Sequence, residues 1–327
     1  METNFWKTLR RPILALAPMV GVTNSAFRRV ARQWGADVVY SEMISADALV
    51  HQSKKTYSML EHDASEYPFV VQLMGKDPDV LAQAAKIAEG CGASGIDINF
   101  GCPAQKIAKN FCGGMLMRDL DRCKSLIAAT IEAVSIPVSV KARVSIRRAK
   151  DVQSGNEPRD ITILDFIEKV SDLPIAAVMV HGRSFEDPFE GGVRLDLIRA
   201  VVERFTGGPV LANGGITSVE SAADFLRDTG AAGLGLARSV IGKPWVFRQV
   251  REYLETGRYN AMPWERVKDV LLSHVELFER TRGRVPFQEI RRHLPHYIKG
   301  HAHASEMRQR LVQAKSYGDV ASALAVL

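Results

Sequence analysis

The sequence predicts an α/β chain: a (β/α)8 TIM barrel over residues 1–245, followed by a small all-α helical domain over 246–327. Three observations carry that expectation. Short apolar runs alternate with helical stretches eight times within about 240 residues, which suits a closed barrel better than an open doubly wound sheet. Most of those runs are apolar at successive positions, as parallel strands covered on both faces should be. Beyond Trp245 the strand-like runs stop and only helical periodicity continues.

The predicted strands are Ile13–Ala17, Asp37–Tyr40, Phe69–Leu73, Gly95–Ile98, Val138–Lys141, Ala177–His181, Val210–Ala212 and Gly233–Leu236. The helices expected after them are Ser25–Trp34, a segment near Ala46–Tyr57, Asp79–Glu89, Asp119–Val134, Ile161–Val170, Leu195–Arg204, Ser218–Asp228 and one starting near Lys243. The polar, turn-rich link Ser145–Asp160 is read as a long, mobile βα loop. In the tail, Val267, Leu271, Val275 and Phe278 fall at helical spacing within Trp264–Arg280, and Phe287–Lys299, Ser305–Ala314 and Asp319–Val326 continue in that style.

Length and composition narrow the class. The chain has 327 residues, 46% hydrophobic and 24% charged, which is ordinary for a globular protein. No run approaches 18 uninterrupted apolar residues, so no membrane span is expected. The start, METNFWKTLRRP, has no apolar signal segment, and a cytoplasmic location follows as the expectation. Cys91, Cys102, Cys112 and Cys123 form neither a CxxC pair nor a disulfide scaffold, so no metal site is expected. Charge is uneven. Residues 257–327 hold 12 Lys/Arg against 7 Asp/Glu and five of the eight histidines, while the first 256 are nearly neutral. A basic tail points to an anionic partner such as nucleic acid, although solvated helix faces give the same excess.

Barrels of this class keep their chemistry at the carboxyl ends of the strands. Strand 1 is followed by Ala17-Pro18-Met19-Val20-Gly21-Val22-Thr23-Asn24, where Thr23 or Asn24 either caps the next helix or lines a ligand site. Strand 3 leads to Gln72 and Gly75. Strand 4 leads to Asp97-Ile98-Asn99-Phe100-Gly101-Cys102-Pro103 and the loop through Phe111 and Cys112. Gly101-Cys102-Pro103 alone suits a structural thiol in a tight turn as well as a reactive one. Strands 5 and 6 end at Lys141 and at His181-Gly182-Arg183, converging on the same mouth. Strands 7 and 8 end in Asn213-Gly214-Gly215 and Gly235-Leu236-Ala237-Arg238, the two loops that form phosphate sites in such barrels. A phosphorylated cofactor is expected there.

With these residues in place, the chain resembles the dihydrouridine synthase family of flavin enzymes that reduce uridines in tRNA. The matching stretches are Ala17–Asn24 with Phe27-Arg28, Ser41-Glu42, Gln72–Gly75, Asp97–Pro103, Val140-Lys141, Val180–Arg183, Asn213–Gly215, and Arg238 through Gly242-Lys243-Pro244-Trp245. Arg291-Arg292-His293 and Tyr297–Gly300 extend the match into the tail. It covers roughly residues 12 to 315 and leans toward the bacterial B-type branch.

The resemblance implies FMN, reduced by NADPH or NADH, with Pro18, Met19, Gln72, Lys141, His181, Asn213, Gly215, Ala237 and Arg238 around it. It makes Cys102 the catalytic acid that protonates carbon 5 of uracil while hydride reaches carbon 6. Asn99 and Arg183 are implied to contact the substrate. For the tRNA itself, Arg291, Arg292, Lys299, Arg308 and Arg310 are the expected phosphate contacts. A monomer is expected. A flavin dehydrogenase of free dihydropyrimidines and a non-catalytic RNA-binding flavoprotein are the alternative classes; the basic tail argues against the first and Cys102 against the second. The chain departs from the family at Asn24, Gly215 and Ala237, in the link 145–160, and in the loop Lys109–Gly114, where Phe111 and Cys112 replace small residues and glycines.

Overall fold

A computed structural model describes residues 4–147, 160–281, 283 and 285–325. Eight parallel strands close on themselves: β1 Ile13–Leu16, β2 Val38–Tyr40, β3 Phe69–Met74, β4 Gly95–Phe100, β5 Val138–Arg143, β6 Ala177–His181, β7 Val210–Asn213 and β8 Gly233–Leu236. Closure is made by β1 pairing with β8 at Ile13↔Gly233 and by β2 pairing with β3 at Val39↔Phe69. The chain is a TIM barrel. Outward residues such as Leu14, Val71, Ile98 and Val140 pack under the surrounding helices in one core. Inward residues Ile13, Ala15, Val38, Tyr40, Val70, Met179 and Leu211, with Trp6 below them, fill the base of the barrel.

One helix or helical pair follows each strand: α1 Ser25–Gln33, α2 Ala46–Val50, α3 Pro78–Gly90, α4 Leu120–Ala133, α5 Ile163–Lys169, α6 Leu195–Arg204, α7 Val219–Thr229 and α8 Val246–Thr256. Asn24 caps α1, its side chain accepting from the Phe27 N–H at 3.0 Å. The helix expected near 46–57 is broken, because Gln52 adopts a left-handed backbone (φ 56°) and the chain restarts as Lys54–Ser58. Within the link 145–160, Ser145–Ile146 pairs antiparallel with Ile161–Thr162. Residues 148–159, on which the mobile-loop expectation falls, lie outside the described residues.

The tail is helical: α9 Trp264–Thr281, a 3-10 turn Phe287–Arg292, α10 Leu294–Tyr297, α11 Ala304–Leu311 and α12 Tyr317–Ala325. A single helix over 287–299 does not form, since Pro295 lacks the N–H that would continue the ladder from the preceding turn. The tail core joins Leu271, Val275, Leu294 and Ile298 to Ala26 and Val30 of α1 and to Trp245. Each buried Leu, Ile or Val contributes about 1.5–3 kcal/mol, which fixes the tail on α1. Val246, Phe247 and Val250 of α8 belong to the barrel core.

Two barrel-mouth loops touch the tail directly. A side chain at Gly242 would strike the backbone of His296 and Tyr297, so only glycine permits this approach. The Arg292 guanidinium lies against Gly21. The β1 and β8 sides of the mouth therefore carry the helical domain.

Candidate active site

Strand alternation sends Gln72, Asp97, Asn99, Ser139, Lys141, Arg143, His181 and Asn213 inward at the mouth. Register places Asn99 beside Lys141, Arg143 beside His181 and His181 beside Asn213. A polar layer thus sits directly above the apolar base.

Its deepest member is Asp97, fully buried. One carboxylate oxygen accepts from Ser139 Oγ (2.8 Å) and the other from Gln72 Nε2 (2.7 Å). Gln72 Oε1 then accepts from Asn99 Nδ2 (2.9 Å), and Asn99 Oδ1 accepts from the N–H groups of Gly101 (3.1 Å) and Cys102 (2.9 Å). A carboxylate only accepts, so Asp97 orients the Gln72 amide, and that amide orients Asn99. Burial raises the Asp97 carboxyl to about 6, against the pull of Gln72, Ser139 and Lys141.

This chain of bonds ends at Cys102. The Gly101 carbonyl is held by Arg143 Nε at 2.7 Å, and the Cys102 carbonyl accepts the Gly114 N–H at 3.1 Å. The N–H and carbonyl of both Gly101 and Cys102 are bonded, whereas Sγ has no hydrogen-bond partner among the described residues. Lys141 and Arg143 both feel the Cys102 sulfur electrostatically.

The cations are poised differently. Lys141 Nζ donates to Asn213 Oδ1 at 3.0 Å, and burial, then Arg143, lowers the lysine to about 8. Arg143, lowered to about 10 chiefly by burial, also donates to the Ser184 carbonyl at 3.0 Å. His181 is driven down to about 2 by burial and then by Lys141, Arg143, Arg183 and Arg238, so it is neutral. Its Nδ1 faces the Arg183 N–H (3.2 Å) and Arg143 Nη1 (3.4 Å), which makes Nδ1 the acceptor and leaves the proton on Nε2.

Loops β7 and β8 present donors without partners. Gly214 and Gly215 take left-handed backbone (φ 88° and 86°), and their N–H groups bond no other described residue. Arg183 anchors through Nε to the Gly191 carbonyl (2.8 Å), while its buried Nη1 is unpartnered. Buried Ser239 Oγ, in the turn after Ala237, is likewise unpartnered. Free donors after β6, β7 and β8, at the same mouth, suit a phosphate.

Of the expected residues, Cys102, Gln72, Asn99, Lys141, His181, Asn213 and Gly215 converge on this mouth, with Arg183, Ala237 and exposed Arg238 at its edge. Pro18 and Met19 are half-buried in the β1 loop, where the Met19 N–H donates to Thr23 Oγ1 (3.2 Å). Asn99, expected at the substrate, has its amide committed to Gln72 and the Cys102 loop. Asn213, expected at the phosphate, is committed to Lys141 and to the Gly235 carbonyl (2.6 Å).

Arg291 departs from expectation. Its half-buried guanidinium donates to the carbonyls of Ala314 (2.7 Å) and Gln313 (3.2 Å), beyond the end of α11. Arg292 pairs with Glu289 (3.2 Å) beside Gly21, and Arg310 with Glu306 (3.0 Å). Lys299 and Arg308 are exposed and both act on the His296 imidazole. Asp97, Ser139, Arg143 and Ser239 were not assigned from the sequence. The first three sit at inward positions of predicted strands or just past their ends, and the 2-residue period was the signal that marks them.

Comparisons with known proteins show a family and a fold. The family model described as Dihydrouridine synthase (Dus) matches residues 15–326. A tRNA-dihydrouridine synthase B of Vibrio vulnificus (strain CMCP6) is 34% identical over 298 residues, covering 90% of this chain and 89% of the relative. The Pseudomonas aeruginosa protein of that name is 37% identical, covering 80% and 76%. Among solved structures, a histamine dehydrogenase from Rhizobium sp. 4-9 superposes with a TM-score of 0.52 at 13% identity, covering 81% of this chain and 49% of that one. That likeness is one of fold.

Proposed function

The chain belongs to the dihydrouridine synthase family, and on that premise we propose that it reduces uridines in tRNA to 5,6-dihydrouridine with FMN and NADPH or NADH. The residues present suit the cofactor. Free N–H groups at Gly214 and Gly215, the orphaned Arg183 Nη1 and Ser239 Oγ supply donors for a phosphate. Lys141, neutral His181 through Nε2–H, Gln72, Pro18 and Met19 would line the ring system. When bound, FMN supplies hydride to carbon 6 of uracil after its own reduction by the nicotinamide.

The protein's part is to present a base and a proton. The target uridine must leave its stack to enter a mouth this deep. Cys102 donates its thiol proton to carbon 5, which balances the hydride gained at carbon 6 and leaves a thiolate. Lys141 and Arg143 stabilise that thiolate until solvent restores its proton. Asn99, Gln72 and Asp97 hold the cysteine loop still meanwhile.

One observation carries this reading: an unbonded thiol whose own and preceding backbone groups are all bonded, opening onto the same mouth as a phosphate-suited turn. The test is reduction of an unmodified tRNA transcript by purified protein with NADPH, followed by mass spectrometry of nucleosides. Dihydrouridine is expected from the wild type and is lost in Cys102→Ala; turnover of free uracil with none of tRNA would overturn the reading. A cytoplasmic monomer is part of this proposal, and sedimentation of the purified protein tests the monomer.

A further inference from the structure

The loop after Cys102 contains a backbone conformation that its sequence does not favour. Gln105–Ala108 forms a single helical turn closed by two bonds, Cys112 N–H to the Ile107 carbonyl (3.3 Å) and Phe111 N–H to the Ala108 carbonyl (2.9 Å). This ending requires a left-handed residue, the place where glycine is normal. Phe111 occupies it with φ 54°. Among the described residues only one other non-glycine, Gln52, has a positive φ, and its side chain is polar and solvated. The Phe111 ring is 41% exposed, so packing does not account for a bulky residue held there.

Its surroundings combine cations with two carboxylates. Phe111 borders a recess of about 250 Å3 with Lys76, Asp77, Leu116, Asp119 and Arg122. Both carboxylates there are occupied as helix caps, Asp77 by the N–H groups of Asp79 and Val80 and Asp119 by that of Arg122. Lys76, Lys106, Lys109 and Arg122 are exposed, and none has an ion-pair partner among the described residues. Two residues further on, Gly113 lies directly against Cys102, and Gly114 packs between Phe185 and the Cys102 carbonyl. This rim stands on the β3–β4 side of the mouth, across from the loops that carry the helical domain.

We propose that Phe111 is a stacking platform for an unpaired nucleobase adjacent to the one reduced at Cys102, with Lys76, Lys106, Lys109 and Arg122 on the flanking phosphates. The inference rests on the RNA reading above and adds a second contact surface to it. Exposed aromatics framed by cations are how proteins hold single-stranded nucleic acid, because every base offers a face to stack upon.

Three proteins test it: the wild type, Phe111→Asn and Phe111→Trp, each titrated with an unmodified tRNA transcript by fluorescence anisotropy at one salt concentration. Asn accepts left-handed backbone readily, so the Phe111→Asn melting temperature stays within about 3 °C of wild type. Its affinity for tRNA falls about 5- to 100-fold, the range for one lost base stack. Phe111→Trp keeps wild-type affinity, and RNA quenches its fluorescence beyond the quenching of the four native tryptophans. Equal binding by Phe111→Asn and wild type, or no added quenching in Phe111→Trp, overturns the inference. A wild type that binds no tRNA would instead remove the RNA reading itself.

Discussion

The Cys102 loop and the β7–β8 turns face each other across one mouth, yet they treat polar groups oppositely. At Gly101 and Cys102 each backbone N–H and carbonyl has a partner, and a relay of bonds links their N–H groups through Asn99 and Gln72 to Asp97. At the turns, donors from Gly214, Gly215, Arg183 and Ser239 are left open. Bonding within the protein fixes a group in place, whereas an open buried donor costs about 1–3 kcal/mol until something binds it. The first region is arranged to hold a reactive atom and the second to receive a ligand.

The largest expected effect separates the thiol from its support. Cys102→Ala removes an unbonded thiol, so dihydrouridine formation should fall about 100- to 10,000-fold with no change in melting temperature. A matching loss of stability would mean the thiol is packing. Next comes Asp97→Ala, which strands Gln72 Nε2 and leaves Ser139 Oγ only the Ile96 carbonyl. Chemical denaturation of the cofactor-free protein should register a loss of about 2–4 kcal/mol, together with reduced activity. Ser239→Ala should do the reverse. It deletes an orphaned hydroxyl, so stability holds or rises by up to about 1 kcal/mol, while FMN affinity drops about 5- to 10-fold by fluorescence titration. If both variants behave alike, the contrast between the two regions collapses.

The pH profile sharpens the same contrast. Asp97 is ionised above about 6 and Lys141 protonated below about 8. Between those values the carboxylate accepts from Gln72 and the lysine is cationic, so kcat/KM should plateau there and fall on both sides. Below about 6 a protonated Asp97 can donate, which reverses the Gln72 amide; Asp97→Asn should therefore lose the acid limb. The smallest effect lies in the tail. Lys299→Ala should reduce the slope of log affinity for tRNA against log salt by about 1, whereas Arg291→Ala should lower stability and leave that slope unchanged.

Strand positions and the residues at their ends were legible because period and composition are local properties. Cys102, Gln72, Lys141 and His181 could be brought together once a closed barrel was assumed. The link from Asp97 to Cys102 was not legible, since it depends on which amide oxygen faces which donor across two strands. Arg291 and Arg292 are neighbours in sequence, yet one bonds the carbonyls beyond α11 and the other leans on Gly21; their divergence follows from the 3-10 turn that Pro295 helps impose. The break at Gln52 and the ending at Phe111 were hidden for one reason, as neither carries the glycine that announces such a turn.

The vertical order of charge in the barrel has a kinetic consequence. A single anion, Asp97, lies at depth, while Lys141, Arg143, Arg183 and Arg238 stand together above it around His181. Such an arrangement is a dipole along the barrel axis with its positive end at the entrance. An approaching molecule with a phosphate at one end is turned by that field before contact, so its orientation is settled during diffusion. Capture of FMN by the cofactor-free protein should then slow as ionic strength rises, while its release rate barely changes.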